Sequence, residues 1–479
     1  MPCTTILVGK KASYDGSTMI ARNDDGAFDE KKLIVVEAKD QPKKYKSKIG
    51  HLEIELPDNP LRYTSTPSVN KEHGIWAANG INEANVSMTA TETITSNMRV
   101  VGADPYVVGK SKNDPWGIGE EDLVVLVLPY IKTAREGVIR LGELLEKYGT
   151  YEANGIAFAD KDEIWWLETI GGHHFIARRV KDDEYVLMPN QFGIDRFDLN
   201  DAYGEQKENI CSKDLKEFIK NNFLDCNNDN IFNPRKIFGS HTDQDHVYNT
   251  PRAWFMARYF NPRTYKWDGD GADFTPESDD IPWSLVPERK ITIDEVKYIL
   301  SSYYQGTEFN PYSKGERKGM YRSIGINRTG VMAILQIRGY MPKEIQSLEW
   351  ICFGSNAFNT VLPIYTNVCS IPKYLSSTTL TVDTNTFYWS SRLIGALVDP
   401  YYGSSIQFVE RYQNKTLCEG QRLVNEFDKK FIETKDLKLL AKANEEIAKM
   451  GKKETDKILS QVLKNASIHM KNGYNRADN

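Results

Sequence analysis

Apolar and β-branched residues fill two short stretches at the start of the chain, residues 4–8 and 18–21. An Asp-Gly pair between them is typical of a turn, so the pattern predicts a β-hairpin. A loop centred near Ser13 places Cys3 opposite Asn23 across the two strands. The second stretch ends in a charged segment, Arg-Asn-Asp-Asp, which is unusual for a buried strand.

Similar patterns continue along the chain. Alternating or continuous apolar runs predict strands over residues 31–38, 52–56, 173–180, 185–191, 350–354 and 361–365, and a β-hairpin over residues 155–168. Apolar residues at helical spacing predict helices over residues 122–134, 136–147, 214–221 and 292–303. Residues 98–116 are rich in Gly, Pro, Asn and Asp and predict a loop.

Beyond Pro400 the chain becomes charged and amphipathic, with helices predicted over residues 405–424 and 436–470. Strands with flanking helices and no regular βαβ alternation indicate an α+β layered architecture. We expect one layered domain over residues 3–400. A C-terminal helical extension over residues 401–479 then covers the core or contacts another copy in a homo-oligomer.

The composition gives no sign of nucleic acid or membrane as a partner. The 479 residues carry a net charge of −5, with 40% hydrophobic and 27% charged residues, as in an ordinary globular protein. No apolar run approaches membrane-spanning length. The six cysteines show no CxxC pair or zinc-type spacing, which favours reduced thiols and a cytoplasmic location.

Cys3 is the residue with the most distinctive chemistry. Cleavage of the chain before it gives one residue both a thiol nucleophile and a free α-amino group as its base. The α-amino group has a pKa of about 8, close to that of a thiol, so proton transfer between them is cheap. Arg22 and Asp25 flank the thiol in the predicted hairpin. The residues alone fit a small buried cysteine beside an ordinary ion pair better than a catalytic thiol.

Three segments carry a resemblance to a known family: residues 3–9 (Cys-Thr-Thr-Ile-Leu-Val-Gly), 15–18 (Asp-Gly-Ser-Thr) and 21–25 (Ala-Arg-Asn-Asp-Asp). They resemble the amino terminus of the C69 dipeptidases, which are N-terminal nucleophile hydrolases related to penicillin V acylases and bile salt hydrolases. The acylases carry a Gly-Arg-Asn-x-Asp segment, and Arg22 and Asp25 take the places of its catalytic residues. The resemblance implies a four-layer αββα sandwich over the domain at residues 3–400.

The resemblance also implies further site residues. Asn190 stands at the end of a predicted strand, where the acylases place an oxyanion-binding asparagine, although strand-terminal Asn is also a common turn residue. Arg252 matches the arginine of an acylase Ser-x-Arg-Phe motif. A third position falls near Thr91 or Glu92. Because a carboxylate repels an oxyanion, we expect the Thr91 hydroxyl or a backbone N–H there, and a plain strand residue fits equally well.

These positions together imply a dipeptidase. The Cys3 thiolate attacks the peptide carbonyl with its own α-amino group as base, and water hydrolyses the resulting thioester. Arg22 and Arg252 lower the thiol pKa, Asp25 orients the amine, and Asn190 with a group near Thr91 holds the oxyanion. Small peptides are the expected partners, and no cofactor or metal is expected. His173 and His174 lack partner ligands at usable spacing.

Two other functions stay open at this stage. An amide acylase of the penicillin V or bile salt type fits less well, because residues 252–255 and 324–329 match C69 segments. A non-catalytic, secernin-like interaction protein on the same fold also fits. Met1 and Pro2 precede Cys3, and removal of Met1 alone leaves Pro2. A second trimming step or autocleavage must therefore release the Cys3 amine.

Overall fold

Antiparallel strands form the centre of the molecule. This computed structural model describes residues 3–26, 29–110, 113–226 and 231–470, so Met1 and Pro2 lie outside the described residues. The strands are β1 (Cys3–Val8), β2 (Thr18–Asp24), β3 (Ile34–Val36), β4 (Lys44–Lys46), β5 (Glu53–Glu55), β6 (Tyr63–Ser65), β7 (Asn79–Ile81), β8 (Ser87–Thr93), β9 (Asn154–Ala159), β10 (Ile164–Ile170), β11 (His174–Val180), β12 (Tyr185–Met188), β13 (Asn209–Cys211), β14 (Ser284–Leu285), β15 (Val331–Ile337), β16 (Ser347–Phe353) and β17 (Leu362–Tyr365).

Helices precede, connect and follow these strands. They are α1 (Met98–Ala103), α2 (Leu123–Val127), α3 (Ala134–Tyr148), α4 (Leu199–Ala202), α5 (Leu215–Asn221), α6 (Pro234–Phe238), α7 (Asp245–Tyr248), α8 (Thr250–Phe260), α9 (Ile293–Leu300), α10 (Lys373–Ser376), α11 (Phe387–Val398), α12 (Tyr402–Thr434) and α13 (Lys438–Ile468). Within the described parts of the chain, no helix has the length and apolarity needed to cross a membrane.

The described strands form two large sheets and two small ones. The larger sheet has seven strands in the order β14-β12-β1-β2-β15-β16-β17, and the next has six in the order β13-β11-β10-β9-β8-β7. Their neighbouring strands run antiparallel throughout. The fold is therefore a mixed α and β structure with several antiparallel sheets and C-terminal helices.

The β1–β2 hairpin forms as predicted, but its register differs by one residue from the expected one. Cys3 pairs with Asp24 and not with Asn23. Val8 pairs with Met19, so the hairpin centre lies half a residue beyond the expected one. Within the loop, Asp15 Oδ1 accepts hydrogen bonds from the Ser13 hydroxyl and from the backbone N–H and hydroxyl of Ser17, which stabilise this conformation.

This register decides which side chains share a face. Thr5 pairs with Arg22, and both lie on the same face as Cys3 because alternate residues of a strand point the same way. A slip of one residue turns a whole strand over. The expected register therefore puts Arg22 on the face opposite to Cys3, and the observed one brings the two together.

Alternate residues of β1 and β2 also belong to different apolar clusters. Leu7 and Ile20 pack in a cluster that includes Trp166 of the six-stranded sheet. Ile6 and Ala21 belong to a second cluster, together with apolar residues of α8, α9 and the C-terminal helices. A third cluster joins the other side of the six-stranded sheet to α2 and α3.

The structure corrects two secondary-structure predictions. The segment expected as a loop over residues 98–116 begins with α1, because the Asn97 side chain accepts from the backbone N–H groups of Arg99 and Val100 and caps a helix. The single helix expected over residues 122–134 is short: α2 ends at Val127, just before Pro129. The remaining predicted helices and the hairpin over residues 155–168 are confirmed.

A buried ion pair attaches the first C-terminal helix to the seven-stranded sheet. Asp428 of α12 accepts from Arg338, which follows β15, and from the Tyr365 hydroxyl at 2.7 Å. The carboxylate and the guanidinium are both almost fully buried. Helix α12 also packs against α13 and β17. The pair therefore fixes the helical hairpin to the strand layer.

We expect Asp428→Ala to lower the free energy of unfolding by about 3–5 kcal/mol, because it leaves the Arg338 charge buried without a partner. Urea denaturation followed by circular dichroism measures this. Glu419→Ala on the same helix is the matched control: its pairs with Lys415 and Arg422 lie at the surface and are screened by water, so little or no loss of stability is expected. Equal losses in the two variants contradict this account of the attachment.

Candidate active site

Cys3 lies at the beginning of β1 and is fully buried. The Arg22 Nη2 group donates to its Sγ atom at 2.8 Å across the hairpin. Burial raises the pKa of the Cys3 thiol, while the Arg22 charge lowers it. The thiol is therefore held beside the cation that stabilises its ionised form.

Arg22 is itself held on several sides. Its Nη1 group donates to the backbone carbonyls of Ala78 at 3.1 Å and Ala90 at 2.7 Å. Its Nη2 group donates to Asp24 at 3.3 Å and to Glu120 at 3.0 Å. Two carbonyls and two carboxylates thus balance one buried charge, as burial of a charge requires.

Asp24 is fixed by a second cation that the sequence analysis did not identify. Lys31 lies 3.0 Å from its Oδ2 atom and donates to the Trp76 carbonyl at 2.8 Å. Burial opposes ionisation of Asp24, but Lys31 and Arg22 lower its pKa below the usual value. Lys31, Asp24 and Arg22 therefore form a continuous chain of charges that ends at the thiol.

The backbone of Cys3 is held by Asn190 and Arg252. Cys3 N donates to Asn190 Oδ1 at 3.1 Å, and Arg252 Nη2 donates to the same oxygen at 2.8 Å. Because a guanidinium has only donors, the Asn190 oxygen must face these two groups. Asn190 Nδ2 donates to the Thr93 carbonyl at 2.9 Å. The amide oxygen, and not the amide nitrogen, is directed at Cys3 N.

Arg252 stands in the first turn of α8 and is fully buried. It donates to the Cys3 carbonyl and, at 2.7 Å, to Thr4 Oγ1. Its other partners are Asn249 Oδ1 and the Tyr248 carbonyl, each at 2.8 Å. Burial lowers the pKa of Arg252 to about 10, and the Arg322 charge contributes. The described contacts of Arg252 with Cys3 are to its backbone and not to its sulfur.

Asp25 is the first residue after β2, the strand that carries Arg22. Its carboxylate accepts from Arg322 Nη2 and, at 2.6 Å, from Thr329 Oγ1. Arg322 and Arg252 both stack over the Tyr248 ring, at 5.0 and 5.3 Å from its centroid. Asp25 is thus connected to Cys3 by a hydrogen bond to Arg322, the stacking of Arg322 and Arg252 on Tyr248, and the hydrogen bond of Arg252 to the Cys3 carbonyl.

Thr91 and Glu92 occupy an irregular point of β8, where the pairing with β9 shifts register between Ala90 and Glu92. Glu92 Oε2 accepts from Thr5 Oγ1 at 2.7 Å, so this carboxylate faces β1, the strand that begins with Cys3. Burial raises the pKa of Glu92 to about 7. Thr91 Oγ1 is buried and has no hydrogen-bond partner among the described residues.

The two adjacent histidines contact one carboxylate. Asp104 lies 3.0 Å from His173 Nδ1 and 2.7 Å from His174 Nδ1. The ring of His174 also stacks on Phe218. Over the described parts of the chain, no group of three or more His, Cys, Asp or Glu side chains has the geometry of a metal site. The histidine pair is accounted for by its contacts with this carboxylate.

The sequence model of peptidase family C69 matches residues 2–415. The chain belongs to this family. This C69 peptidase is 51% identical to a dipeptidase of Bifidobacterium longum (strain NCC 2705), over 100% of both chains. It is 49% identical to a probable dipeptidase A of Streptococcus pyogenes serotype M18 (strain MGAS8232), over 99% of this chain and 98% of the relative. Dipeptidase A of Lactobacillus helveticus is 44% identical over 96% of each.

The contact between Arg22 and the thiol in this C69 peptidase leads to a measurable expectation. Arg22→Gln removes the cation and raises the pKa of Cys3, so iodoacetamide should alkylate Cys3 more slowly at pH 8, by about tenfold for each pKa unit. Arg22→Lys, which keeps the charge, should be slowed less. Peptide mass spectrometry measures the labelling of Cys3.

The same samples contain internal controls. Exposed Cys369 should be labelled at the wild-type rate, and labelling of buried Cys352 reports any unfolding. Equal Cys3 rates in the wild type and the folded Arg22→Gln variant contradict the electrostatic role of Arg22.

Proposed function

We propose that this protein is a dipeptidase whose nucleophile is Cys3 acting as the first residue of the mature chain. The observation that carries the proposal is that Cys3 is held at both of its functional atoms. Arg22 contacts the sulfur at 2.8 Å and Asn190 contacts the backbone nitrogen at 3.1 Å. An ordinary buried cysteine needs neither contact. The family match and the names of the full-length relatives support a peptide substrate.

The chemistry proceeds through a covalent intermediate. The free α-amino group of Cys3 takes the thiol proton, and the thiolate attacks the carbonyl carbon of the dipeptide. The tetrahedral intermediate breaks its C–N bond as the α-ammonium returns the proton to the leaving amine. Water, deprotonated by the same amine, then attacks the thioester carbonyl. The C–S bond breaks, the first amino acid leaves, and the α-ammonium group returns the proton to the Cys3 thiolate. No redox partner is involved in this sequence.

The contacts assign the surrounding groups to different tasks. Arg22 stabilises the thiolate, and the Asn190 oxygen orients the amine that serves as base. Asn190 Nδ2 and the Thr91 hydroxyl are the side-chain donors we assign to the oxyanion. The Thr91 hydroxyl is buried without a partner in the described part of the chain, and such a group is costly unless a ligand satisfies it.

Arg252 and Asp25 act as positioning residues in this proposal. Arg252 holds the Cys3 carbonyl and the Asn190 oxygen, so it sets the direction of the amine. Asp25 fixes Arg322, whose guanidinium shares the Tyr248 ring with Arg252. Both residues therefore influence the nucleophile through the placement of its backbone.

We also infer that the two large sheets form the inner layers of a four-layer αββα sandwich. Cluster membership supports this: one face of β1 and β2 packs with the six-stranded sheet and the other face packs with helices. The third cluster, in which α2 and α3 pack against the six-stranded sheet, supports an outer helical layer on that side. We further propose a catalytic domain over residues 3–400 and a helical extension over residues 401–479, because α12 and α13 follow the last strand and pack mainly against each other. The family match extends slightly beyond this boundary, to residue 415 in α12.

A cytoplasmic location is part of the proposal. All six cysteines lie among the described residues and are free thiols. Such use of cysteine is typical of a reducing compartment. Small peptides taken up or produced inside the cell are then the substrates that reach the enzyme.

Cys3→Ala should lower the rate of Ala-Leu hydrolysis by a factor of about 10⁴ or more, because no other group supplies the nucleophile. Chromatography of the released leucine measures the rate. Cys352→Ala, which removes another buried thiol of the same sheet, is the matched control and should keep most of the activity. A folded Cys3→Ala variant with wild-type activity rules out the mechanism.

The active chain purified from its native host should begin at Cys3, because only then does the nitrogen bound by Asn190 carry a free amine. Intact mass and N-terminal sequencing measure this. Full dipeptidase activity in protein that still carries Pro2 excludes the α-amino group as base. Inactive protein that still carries Pro2 would instead favour the secernin-like interpretation or a precursor that awaits cleavage.

A further inference from the structure

Next to the nucleophile, on the side of Arg22, lies a group of acceptors that the proposed mechanism does not use. Glu120 is almost fully buried, and its Oε1 atom accepts from Arg22 Nη2 at 3.0 Å. Its backbone N–H donates to Glu152 Oε1 at 2.8 Å. The Glu152 side chain is in turn hydrogen-bonded by Asn154. We call Glu120, Glu152 and Asn154 the acceptor group.

The two acidic residues that follow Glu120 in the chain make their hydrogen bonds away from Arg22. Glu121 accepts from Ser47 Oγ at 3.0 Å and from the Tyr151 hydroxyl. Asp122 accepts from the Tyr45 hydroxyl at 2.6 Å. Of the three consecutive carboxylates, Glu120 is the one in contact with the arginine that holds the thiol.

Distances limit what this carboxylate can touch. The Cys3 Sγ and Glu120 Oε1 atoms contact the same Arg22 nitrogen at 2.8 and 3.0 Å, so they lie at most about 6 Å apart. In a bound dipeptide the attacked carbonyl carbon lies about 3–3.5 Å from the sulfur. The substrate α-nitrogen is two bonds away, about 2.5 Å from that carbon. Glu120 is therefore within reach of the substrate amine.

A second observation indicates a donor ligand at this place. Asn154 is only 2% exposed, and its Oδ1 atom has no hydrogen-bond partner among the described residues. Asn154 is the cross-strand partner of Thr93, whose carbonyl binds the Asn190 amide beside Cys3. A buried acceptor without a donor is rare in a folded protein. An ammonium group has three donors and no acceptor, which suits a set of acceptors.

We propose that the acceptor group binds the free α-ammonium group of the dipeptide and restricts the enzyme to peptides with an unblocked amino terminus. This inference rests on the proposed role of Cys3 as nucleophile. The carboxylates disfavour the carboxyl end of the substrate at this position, because like charges repel. An acyl amide lacks the ammonium and leaves the carboxylates and the Asn154 oxygen without their ligand. Binding of the substrate ammonium by the acceptor group would therefore make the enzyme select dipeptides over acyl amides.

The test compares Ala-Leu with propionyl-leucine, which has the same shape without the amine. The wild type should prefer Ala-Leu by about 100-fold or more in kcat/KM. In Glu120→Gln this preference should fall about tenfold or more, through a higher KM for Ala-Leu. Glu121→Gln is the matched control, since its carboxylate points away from Arg22, and it should keep the wild-type preference.

Glu152→Gln is the second variant and keeps the test possible if Glu120→Gln does not fold. Glu152 is only partly buried, so we expect the protein to tolerate this change. Its preference for Ala-Leu should also fall. A preference that stays at the wild-type value in both variants, or equal losses on the two substrates, overturns the inference and indicates a purely structural contact with Arg22. Activity of Cys3→Ala on Ala-Leu is a different result, which overturns the nucleophile itself.

Discussion

The guanidinium of Arg22 is the group on which the rest of the site depends. A buried charge is stable only where enough partners surround it, and Arg22 meets two backbone carbonyls, Asp24 and Glu120. The partners must themselves be fixed, and Lys31 does this for Asp24. Arg22 thus fixes the relative positions of its partners on β2, on the segments around Ala78 and Ala90, and at Glu120. Its remaining hydrogen bond is to the Cys3 sulfur.

The pairing of β1 with β2 is the second constraint. Strand side chains alternate between faces, so the position of Arg22 relative to Cys3 depends on a single step of register. The observed pairing of Cys3 with Asp24 places the sulfur and the guanidinium on one face. The apolar residues further along the same strands require this register as well, because Leu7 and Ile20 pack with the six-stranded sheet. Packing of the core therefore enforces the geometry of the thiol.

The backbone of Cys3 is held by hydrogen bonds, as its sulfur is. Asn190 and Arg252 both contact the peptide groups of Cys3, and Asp25 reaches this network through Arg322. In the proposed mechanism the Cys3 amine is the base, so the direction of the nitrogen matters as much as that of the thiol. The contacts of Arg22 with the sulfur and of Arg252 with the backbone meet these two requirements separately.

Local patterns in the sequence determined the hairpin and most helices, because periodicity and turn signals depend on near neighbours. Cys3, Asn190 and Arg252 were indicated as site residues by resemblance to a family, and not by periodicity. Only the tertiary structure decided that Glu120 approaches the thiol, since about 100 positions separate it from Arg22 and nothing in its own segment marks the contact. The direction of the Asn190 amide was likewise decided by Arg252, because hydrogen-bond complementarity acts between groups that the folded chain brings together.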